Sequence, residues 1–319
     1  MLRAVFISLS KAGWAQRWIT RWGLAWRAAS RFVAGETIAQ ALAAVRQLSQ
    51  QGLIATLDQL GEHTQTREDA AQATAGILAL LDEIERENLP ANVSIKLSQL
   101  GLVIDPQLGY HHLCLVMQRA VERRNFIWVD MEDSSLTDAT LELVARCRQQ
   151  GMENIGAVIQ SCLYRSENDT RRLIELGVPV RLVKGAYQEP RQVAYPNKRD
   201  VDAAFDRLSD ILLRAARDAD QWQVSEDGRF PPLPAIASHD EKRIAYALEG
   251  VRKLKLSPRQ VEFQLLYGIR RDIQASLVKQ GYPVRIYVPY GSHWYPYFMR
   301  RLAERPANVW FFISHFFQR

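Results

Sequence analysis

Short runs of apolar residues recur along the chain at intervals that fit strands separated by helices. Each run is six or seven residues long and rich in Val, Ile, Leu or Phe. The eight runs are 53–58, 92–98, 126–132, 155–161, 178–184, 233–239, 261–267 and 284–290. Such near-continuous apolar runs are typical of parallel strands that are buried on both faces.

Helical periodicity fills the intervals between these runs. In residues 67–87, for example, Ile77, Leu80, Leu81 and Ile84 recur at helical spacing. The other predicted helices are 110–124, 137–150, 166–176, 200–219, 240–250 and 270–280. Eight strand–helix units predict an α/β fold, a single (β/α)₈ TIM-type barrel over residues 36–319. A helical extension precedes the predicted barrel, and a final helix carries an arginine pair.

The longest connection follows the fifth predicted strand. Its last part, residues 218–234, contains a glycine, three prolines and several charges. Gly and Pro interrupt regular structure, so this segment is predicted to be an exposed loop.

Residues 1–35 form a basic, tryptophan-rich segment that contains no acidic residue. Its charges and tryptophans are Arg3, Lys11, Arg17, Arg21, Arg27, Arg31, Trp14, Trp18, Trp22 and Trp26. Three interpretations stay open: an amphipathic helix at a membrane surface, tryptophans packed on the barrel, or an Arg-rich transit peptide. Because these cations account for the whole net charge of +6, the rest of the chain has a net charge of about zero, which argues against a basic nucleic-acid-binding domain.

Other features of the sequence restrict the compartment and the chemistry. No apolar run reaches the length of a membrane span, and no secretory signal pattern is present. The three cysteines, Cys114, Cys147 and Cys162, show no metal-ligand spacing and indicate a reducing environment. The chain also lacks GxGxxG, P-loop, HExxH and GxSxG motifs. We therefore expect a cytoplasmic protein without a metal site. Peripheral association with the inner face of the membrane, if it occurs, is expected only through residues 1–35.

Polar residues end nearly all of the predicted strands. They are Asp58 with Glu62, Lys96, Asp130 with Glu132, Gln160, Arg181 with Lys184, Ser238 with His239, Gln264 with Tyr267, and Tyr287. In (β/α)₈ barrels the active site lies at the carboxyl ends of the strands. These residues are therefore expected to converge on one functional face. The Lys184-Gly185 turn has the donors to hold a phosphate.

The final predicted helix carries Arg300 and Arg301 after a tyrosine-rich turn. Guanidinium groups present paired donors that match the two oxygens of a carboxylate. Together with Lys96, Arg181 and Lys184, they make the predicted face rich in cations. This excess of positive charge favours an anionic substrate and a phosphate-bearing cofactor.

The order of these motifs resembles one known family over residues 36–310. The motifs are TLDQLGE (56–62), VSIKLS (93–98), VDMED (129–133), VIQS (158–161), VRLVKGAY (180–187), SHD (238–240), FQLLYG (263–268) and the Arg-Arg helix. This pattern is similar to that of proline dehydrogenase, the flavin-dependent barrel enzyme that also forms a domain of bacterial PutA proteins. The length resembles that of the monofunctional bacterial type.

The resemblance implies FAD-dependent oxidation of L-proline to Δ1-pyrroline-5-carboxylate, with electrons passed to a membrane quinone. It implies that Arg300, Arg301 and Lys96 bind the proline carboxylate, that Asp130 and Tyr287 hold this cluster, and that Tyr297 and Leu265 close over the ring. It implies that Asp130 and Arg181 are the catalytic residues, with Arg181 near flavin N5, where its charge would stabilise the reduced ring. It further implies that FAD contacts Met131, Gln160, Lys184, Gly185, Ala186, Ser238, His239 and Glu304. Glu62 would support the cluster of charges.

Two positions bear on how far the resemblance extends. Ser238 stands where relatives usually have Thr, and Tyr297 favours proline over hydroxyproline, whose enzymes tend to have a smaller residue there. Two other functions remain as alternatives: a Schiff-base barrel lyase with Lys184 or Lys96 as nucleophile, and a non-catalytic protein of the membrane surface. Bound flavin would favour the proline dehydrogenase interpretation over both alternatives.

Overall fold

The computed structural model describes residues 23–304 except 62, 63, 188, 220 and 221. Within them, eight parallel strands close into a barrel in sequence order. The strands are β1 (Ile54–Gln59), β2 (Ala91–Ile95), β3 (Ile127–Val129), β4 (Ile155–Gln160), β5 (Val180–Val183), β6 (Pro234–Ala237), β7 (Glu262–Leu266) and β8 (Val284–Tyr290). The predicted fold class is confirmed, and each predicted strand overlaps an observed one.

Ten α-helices lie within the same described residues. They are α1 (Gly23–Ala29), α2 (Ile38–Ser49), α3 (Arg67–Arg86), α4 (Pro106–Glu122), α5 (Thr137–Gln149), α6 (Ser166–Glu175), α7 (Lys198–Asp218), α8 (Glu241–Leu254), α9 (Arg271–Lys279) and α10 (Trp294–Glu304). Helix α2 was not predicted from the sequence, although Thr37 and Gln40 form a capping box at its start. Its existence makes the layer outside β1 and β8 helical as well.

The main apolar core lies between the barrel and its helices. Alternate strand residues such as Leu57, Val93 and Val129 belong to it, together with Leu80 and Ile84 of α3. Successive residues of a strand point to opposite faces, so the strand residues that alternate with Leu57, Val93 and Val129 face the barrel interior. That interior is largely polar, because Asp58, Ser94 and Arg181 are among its buried side chains.

The N-terminal end of the barrel is closed by part of the segment that was predicted to be an exposed loop. This prediction is wrong from Gly228 onward: Arg229 is 3% exposed. Its Nε donates to Leu89 O at 3.2 Å, and its own carbonyl accepts from Asn92 Nδ2 at 2.8 Å. Phe230 packs edge-on against Phe126, with ring centroids 6.0 Å apart. The segment is buried because its charge and backbone groups find partners under the barrel.

The described part of the N-terminal segment packs on the barrel beside α10. Trp26 contacts Trp294, with ring centroids 5.4 Å apart, and Phe32 lies 6.4 Å from Phe298. Trp26 therefore follows the packed interpretation. Trp14, Trp18, Trp22 and the basic residues before Arg27 lie outside the described residues. Among the helices that the structure describes, none combines the length and the apolar composition needed to cross a bilayer.

Candidate active site

A cavity of about 510 Å³ opens at the carboxyl ends of the barrel strands. Nearly all of the side chains that the resemblance selected line it. They are Lys96, Asp130, Met131, Gln160, Arg181, Lys184, Gly185, Ala186, Ser238, His239, Leu265, Tyr287, Tyr297, Arg300 and Arg301. The side chain of Glu304 and all of Glu62 lie outside the described residues, so the predictions for them stay predictions.

Asp130 is the centre of the hydrogen-bond network on one side of this cavity. It directly follows β3. Oδ1 accepts from Ser94 Oγ at 2.9 Å and from Arg181 Nη1 at 2.8 Å, and Oδ2 accepts from Tyr287 OH at 2.6 Å. Burial acts to raise the pKa of Asp130, but the Lys96 and Arg181 cations reverse that effect and hold the pKa below its usual value. Asp130 is therefore an ionised anchor.

Lys96 connects Asp130 to a second buried carboxylate. Its Nζ donates to Asp58 Oδ1 at 2.9 Å and Oδ2 at 3.0 Å, and it lies 3.4 Å from Asp130 Oδ2. It also lies 3.3 Å from Tyr287 OH. These contacts with Asp58, Asp130 and Tyr287 hold the Lys96 amino group in one position beside the cavity.

Tyr287 joins the same network from β8 on the other side of β1. Burial raises the pKa of Tyr287 well above its usual value, and the Asp130 and Asp58 charges raise it further. Its hydroxyl therefore remains protonated and donates to Asp130.

Arg181 reaches this network from inside the barrel. It is the second residue of β5, so its predicted place at a strand end is wrong, although its side chain still lines the cavity. Nη1 donates to Ser94 Oγ and Asp130 Oδ1, each at 2.8 Å, and Cζ lies 4.6 Å from the Trp128 ring centroid. Its Nε and Nη2 are buried and have no hydrogen-bond partner among the described residues. Burial lowers the pKa of Arg181, while Asp130 opposes the shift.

Other polar residues from β4 to β6 line the opposite side of the cavity. Gln160 Nε2 donates to Glu132 O at 2.8 Å. Lys184 Nζ lies between Asp202 Oδ1 at 2.5 Å and Asp240 Oδ2 at 2.6 Å. Burial acts to raise the pKa of Asp240, but Lys184 outweighs it and the pKa falls to about 2. Lys184 therefore has two carboxylate partners at the place where a phosphate contact was predicted.

Gly185 turns the chain away from Lys184 with a φ of +106°. A Cβ atom there would lie 2.4 Å from Cys162 Sγ. Both the left-handed backbone and this close approach require glycine. Gly185 therefore lines the cavity with backbone atoms alone.

Ser238, His239 and Asp240 lie between β6 and α8. Ser238 Oγ accepts from Asp240 N at 3.1 Å, and Asp240 Oδ1 caps α8 by accepting from Lys242 N at 3.1 Å. His239 Nε2 accepts from Leu266 N at 2.9 Å, which leaves the ring proton on Nδ1. The positions of these residues thus depend on the start of α8 and the end of β7.

Helix α10 covers the mouth of the barrel. Arg301 and Tyr297 are buried on it, and the Arg301 guanidinium lies 5.0 Å from the Tyr297 ring centroid. Leu265 of β7 is 2% exposed and lines the same cavity. The helix thus brings two guanidinium groups and an aromatic ring to the mouth where Lys96 and Tyr287 lie. Among the described residues, no group of three His, Cys, Asp or Glu side chains is placed to hold a metal.

Comparison with known proteins identifies the family to which this arrangement belongs. The family model described as proline dehydrogenase matches residues 41–313. The chain belongs to the proline dehydrogenase family. It is 38% identical to proline dehydrogenase 1 of Bacillus subtilis (strain 168), covering 98% of each chain. It is also 38% identical to the proline dehydrogenase of Deinococcus radiodurans, covering 91% of this chain and 90% of that one.

Solved structures of larger proteins contain the same fold. Proline utilization A (PutA) from Bdellovibrio bacteriovorus matches with a TM-score of 0.78 and 26% identity. The match covers 88% of this chain and 33% of the PutA chain. The resemblance predicted from the sequence is confirmed, and the chain is an enzyme of the proline dehydrogenase family.

Two residues of the charged network, Asp58 and Ser94, and Gln264 on the cavity wall were not given roles in the sequence analysis. Asp58 and Gln264 were noted only as strand ends, and Ser94 was quoted only within the VSIKLS motif. Ser94 lies two residues before Lys96 on β2, so both side chains point to the same face. That spacing was the available signal for Ser94, whereas its contacts with β3 and β5 are not visible in the sequence.

Proposed function

We propose that this member of the proline dehydrogenase family oxidises L-proline to Δ1-pyrroline-5-carboxylate with FAD as the hydride acceptor and a quinone as the final electron acceptor. The observation that carries the proposal is one cavity with cations for a carboxylate at the α10 side and the buried, unpartnered donors of Arg181 further inside. Each part of the reaction can be assigned to residues of this cavity.

Arg300 and Arg301 bind the proline carboxylate in this proposal. Both line the cavity from α10, and guanidinium groups offer donors in the plane that carboxylate oxygens require. Lys96 contributes positive charge to the same site, while Asp58, Asp130 and Tyr287 fix its ammonium. Fixing the carboxylate orients the rest of a small rigid substrate, which is the source of proximity catalysis.

Tyr297 and Leu265 provide the apolar surface for the pyrrolidine ring. Both are buried and line the cavity next to the arginine pair. Their contact with the methylene groups excludes water from the carbon that loses hydride. It also restricts the substrate to one orientation, because the ring and the carboxylate are held at once.

The residues on the inner side of the cavity are compatible with FAD. Arg181 Nε and Nη2 lack a partner among the described residues, and a buried donor of this kind calls for an acceptor. The flavin ring offers nitrogen and oxygen acceptors, and the backbone of Gly185 lines the same cavity. The residues assigned to FAD are Met131, Gln160, Arg181, Lys184, Gly185, Ala186, Ser238 and His239. When bound, FAD supplies the two-electron acceptor.

Asp130 acts as a positioning residue in this scheme rather than as the base that accepts the amine proton. Its carboxylate already accepts from Ser94, Arg181 and Tyr287, and its pKa is lowered. A carboxylate so stabilised is a weak base. The substrate amine therefore loses its proton to water or to a coupled group before hydride leaves.

The ion pairs that Lys96 and Lys184 form with carboxylates disfavour the alternative Schiff-base lyase. A lysine nucleophile must be deprotonated, whereas Lys96 and Lys184 each contact two carboxylates. Membership in an enzyme family likewise contradicts a non-catalytic protein of the membrane surface. A peripheral membrane contact through residues 1–35 stays part of the proposal, supported by the basic and tryptophan-rich composition of that segment.

Anaerobic addition of L-proline to the purified protein tests the proposal. We expect the protein to carry flavin, and we expect its visible absorbance to bleach with proline and return when a soluble quinone is added. D-proline serves as the control, because its carboxylate and ring cannot both be held in the orientation of L-proline. A protein without flavin, or one whose flavin stays oxidised with L-proline, contradicts the proposed function.

A further inference from the structure

A second cavity of about 590 Å³ lies beside the proposed substrate cavity. The ends of β1 and β8, helix α3 and helix α10 contribute to its walls. Arg300 and Tyr297 line both cavities. The two spaces therefore meet at the part of α10 that carries the proposed carboxylate ligand.

The walls of this second cavity differ in chemistry from those of the first. Four glutamine side chains line it, Gln59, Gln65, Gln72 and Gln99. It also contains the carboxylates of Glu36 and Asp69, whereas Lys96 and Arg181 line only the first cavity. Amides serve as donors and acceptors, so these walls match a small molecule that carries both charges.

The acidic groups of the second cavity accept hydrogen bonds from neighbouring residues. Asp69 Oδ2 accepts from the backbone nitrogens of Gln65 and Thr66 at 3.2 and 3.1 Å. The hydrogen bond from the Thr66 side chain, followed by these backbone bonds, lowers the pKa of Asp69. Glu36 Oε1 accepts from Trp294 Nε1 at 3.1 Å. Two fixed carboxylates suit the ammonium end of an amino acid.

We propose that the second cavity binds an amino acid as its zwitterion before the molecule moves past Arg300 into the first cavity. The inference rests on the proposed function, because it names proline as that amino acid. At neutral pH the amine of free proline is protonated, and the carboxylates of the second cavity stabilise that form. The cations of the first cavity favour the carboxylate with a neutral amine, which is the form that can lose hydride.

The position of Arg300 lets the carboxylate move between the cavities beside a cation throughout. If the carboxylate left one cation before it reached the next, it would be an unpaired charge in a partly buried place, which raises its free energy. One guanidinium on the shared wall avoids that cost. The second cavity therefore serves as a binding site in series with the first.

A bulky substitution on α3 tests this arrangement. Ala73 lines the second cavity and not the first, while Ala75 is exposed on the same helix and lines neither. Ala73→Phe fills part of the cavity, and Ala75→Phe is the matched control for the lower helix propensity of Phe. Bleaching of the flavin by proline in an anaerobic stopped-flow instrument measures the effect.

At low proline we expect the second-order rate constant of Ala73→Phe to fall on the order of tenfold relative to Ala75→Phe, because access becomes limiting. The limiting rate at saturating proline should be the same in both variants. Equal second-order constants would overturn the inference. If Ala73→Phe fails to fold, Gln72→Leu, at an exposed position, removes one amide from the wall and should lower the same constant by a smaller factor.

Equilibrium dialysis of labelled proline against anaerobic enzyme with reduced flavin separates this inference from the proposed function. We expect two proline molecules per chain in the wild type and one in Ala73→Phe. A single molecule in both proteins counts against the second site. Flavin that proline does not bleach counts against the proposed function alone, since the dialysis still reports on the second cavity.

Discussion

Two buried charge networks inside the same barrel differ in how completely their donors are bonded. At the N-terminal end, Arg285 donates from Nε and Nη2 to Glu262 at 2.7 and 2.9 Å. Its Nη1 donates to Ala55 O and its Nη2 also donates to Gly228 O, each at 2.7 Å. Deeper in the cavity that opens at the other end, Arg181 bonds through Nη1 alone, and its Nε and Nη2 have no partner among the described residues.

This difference separates a structural network from a functional one. All three nitrogens of the buried Arg285 guanidinium donate within the protein, so Arg285 and Glu262 stabilise the closed end of the barrel. A buried donor without a partner costs free energy in the protein alone. That cost at Arg181 is expected where a ligand completes the hydrogen bonds.

The largest effect should come from breaking the closed network. Arg285→Met leaves the Glu262 carboxylate fully buried without its cation, and removal of one partner of a buried pair costs about 3–5 kcal/mol. We expect the free energy of unfolding, measured by urea denaturation, to fall by that amount. Flavin bleaching by proline should persist in the fraction that remains folded.

Two further variants sharpen this result. Arg252→Met, at an exposed position on α8, should change the unfolding free energy by less than about 0.5 kcal/mol. Adding Glu262→Gln to Arg285→Met should recover part of the lost stability, because no lone charge is left. If the double variant is less stable than Arg285→Met alone, the pair is not the source of the loss.

An intermediate effect is expected at the mouth, and it should appear in binding rather than in stability. Arg301→Met removes a charged donor from the proposed carboxylate, which costs about 1.5–3 kcal/mol of binding free energy. Steady-state kinetics should show a strongly raised KM for proline while the flavin content stays unchanged. Arg271→Met, at the exposed start of α9 outside the cavity walls, is the control. An unchanged KM in Arg301→Met would refute the assigned role.

The smallest effect should come from Ser94→Ala. The hydroxyl of Ser94 accepts from Arg181 at 2.8 Å and donates to Asp130 at 2.9 Å. Its loss removes hydrogen bonds but no charge, so we expect a loss of about 0.5–1.5 kcal/mol in the unfolding free energy. The Asp130–Arg181 contact remains, so the KM for proline should change less than in Arg301→Met. If the KM for proline were higher in Ser94→Ala than in Arg301→Met, the Ser94 hydroxyl would matter more for the cavity than the Asp130–Arg181 ion pair that remains.

Much of the fold and many of the cavity residues were predictable because the signal was local. Strand β8 matches the run 284–290 at both ends, since an apolar run bounded by turn residues marks a buried strand. Lys96 and Asp130 were recognised because a charge that ends such a run must lie at the barrel mouth. Their grouping in one cavity follows from the barrel topology.

The rest depended on contacts that no local pattern records. Arg285 lies within an apolar strand, and nothing near it in the sequence names Glu262 as its partner. Arg229 looked like a loop residue because prolines and charges surround it, yet its partners belong to β2 and the chain before it. The dependence of Lys184 on Asp202 and Asp240 was missed for the same reason.

Closure of the barrel end by Arg229 has a consequence for the order in which the chain folds. Asn92 and Arg229 are joined by a hydrogen bond although 137 residues separate them. A growing chain that has released only its first four strands lacks this partner, because Arg229 lies in the connection between β5 and β6. Contacts of such sequence separation form late, because the loop between them must first be closed. The bond between Asn92 and Arg229 is therefore one of the contacts that complete the barrel only after its first half has been synthesised.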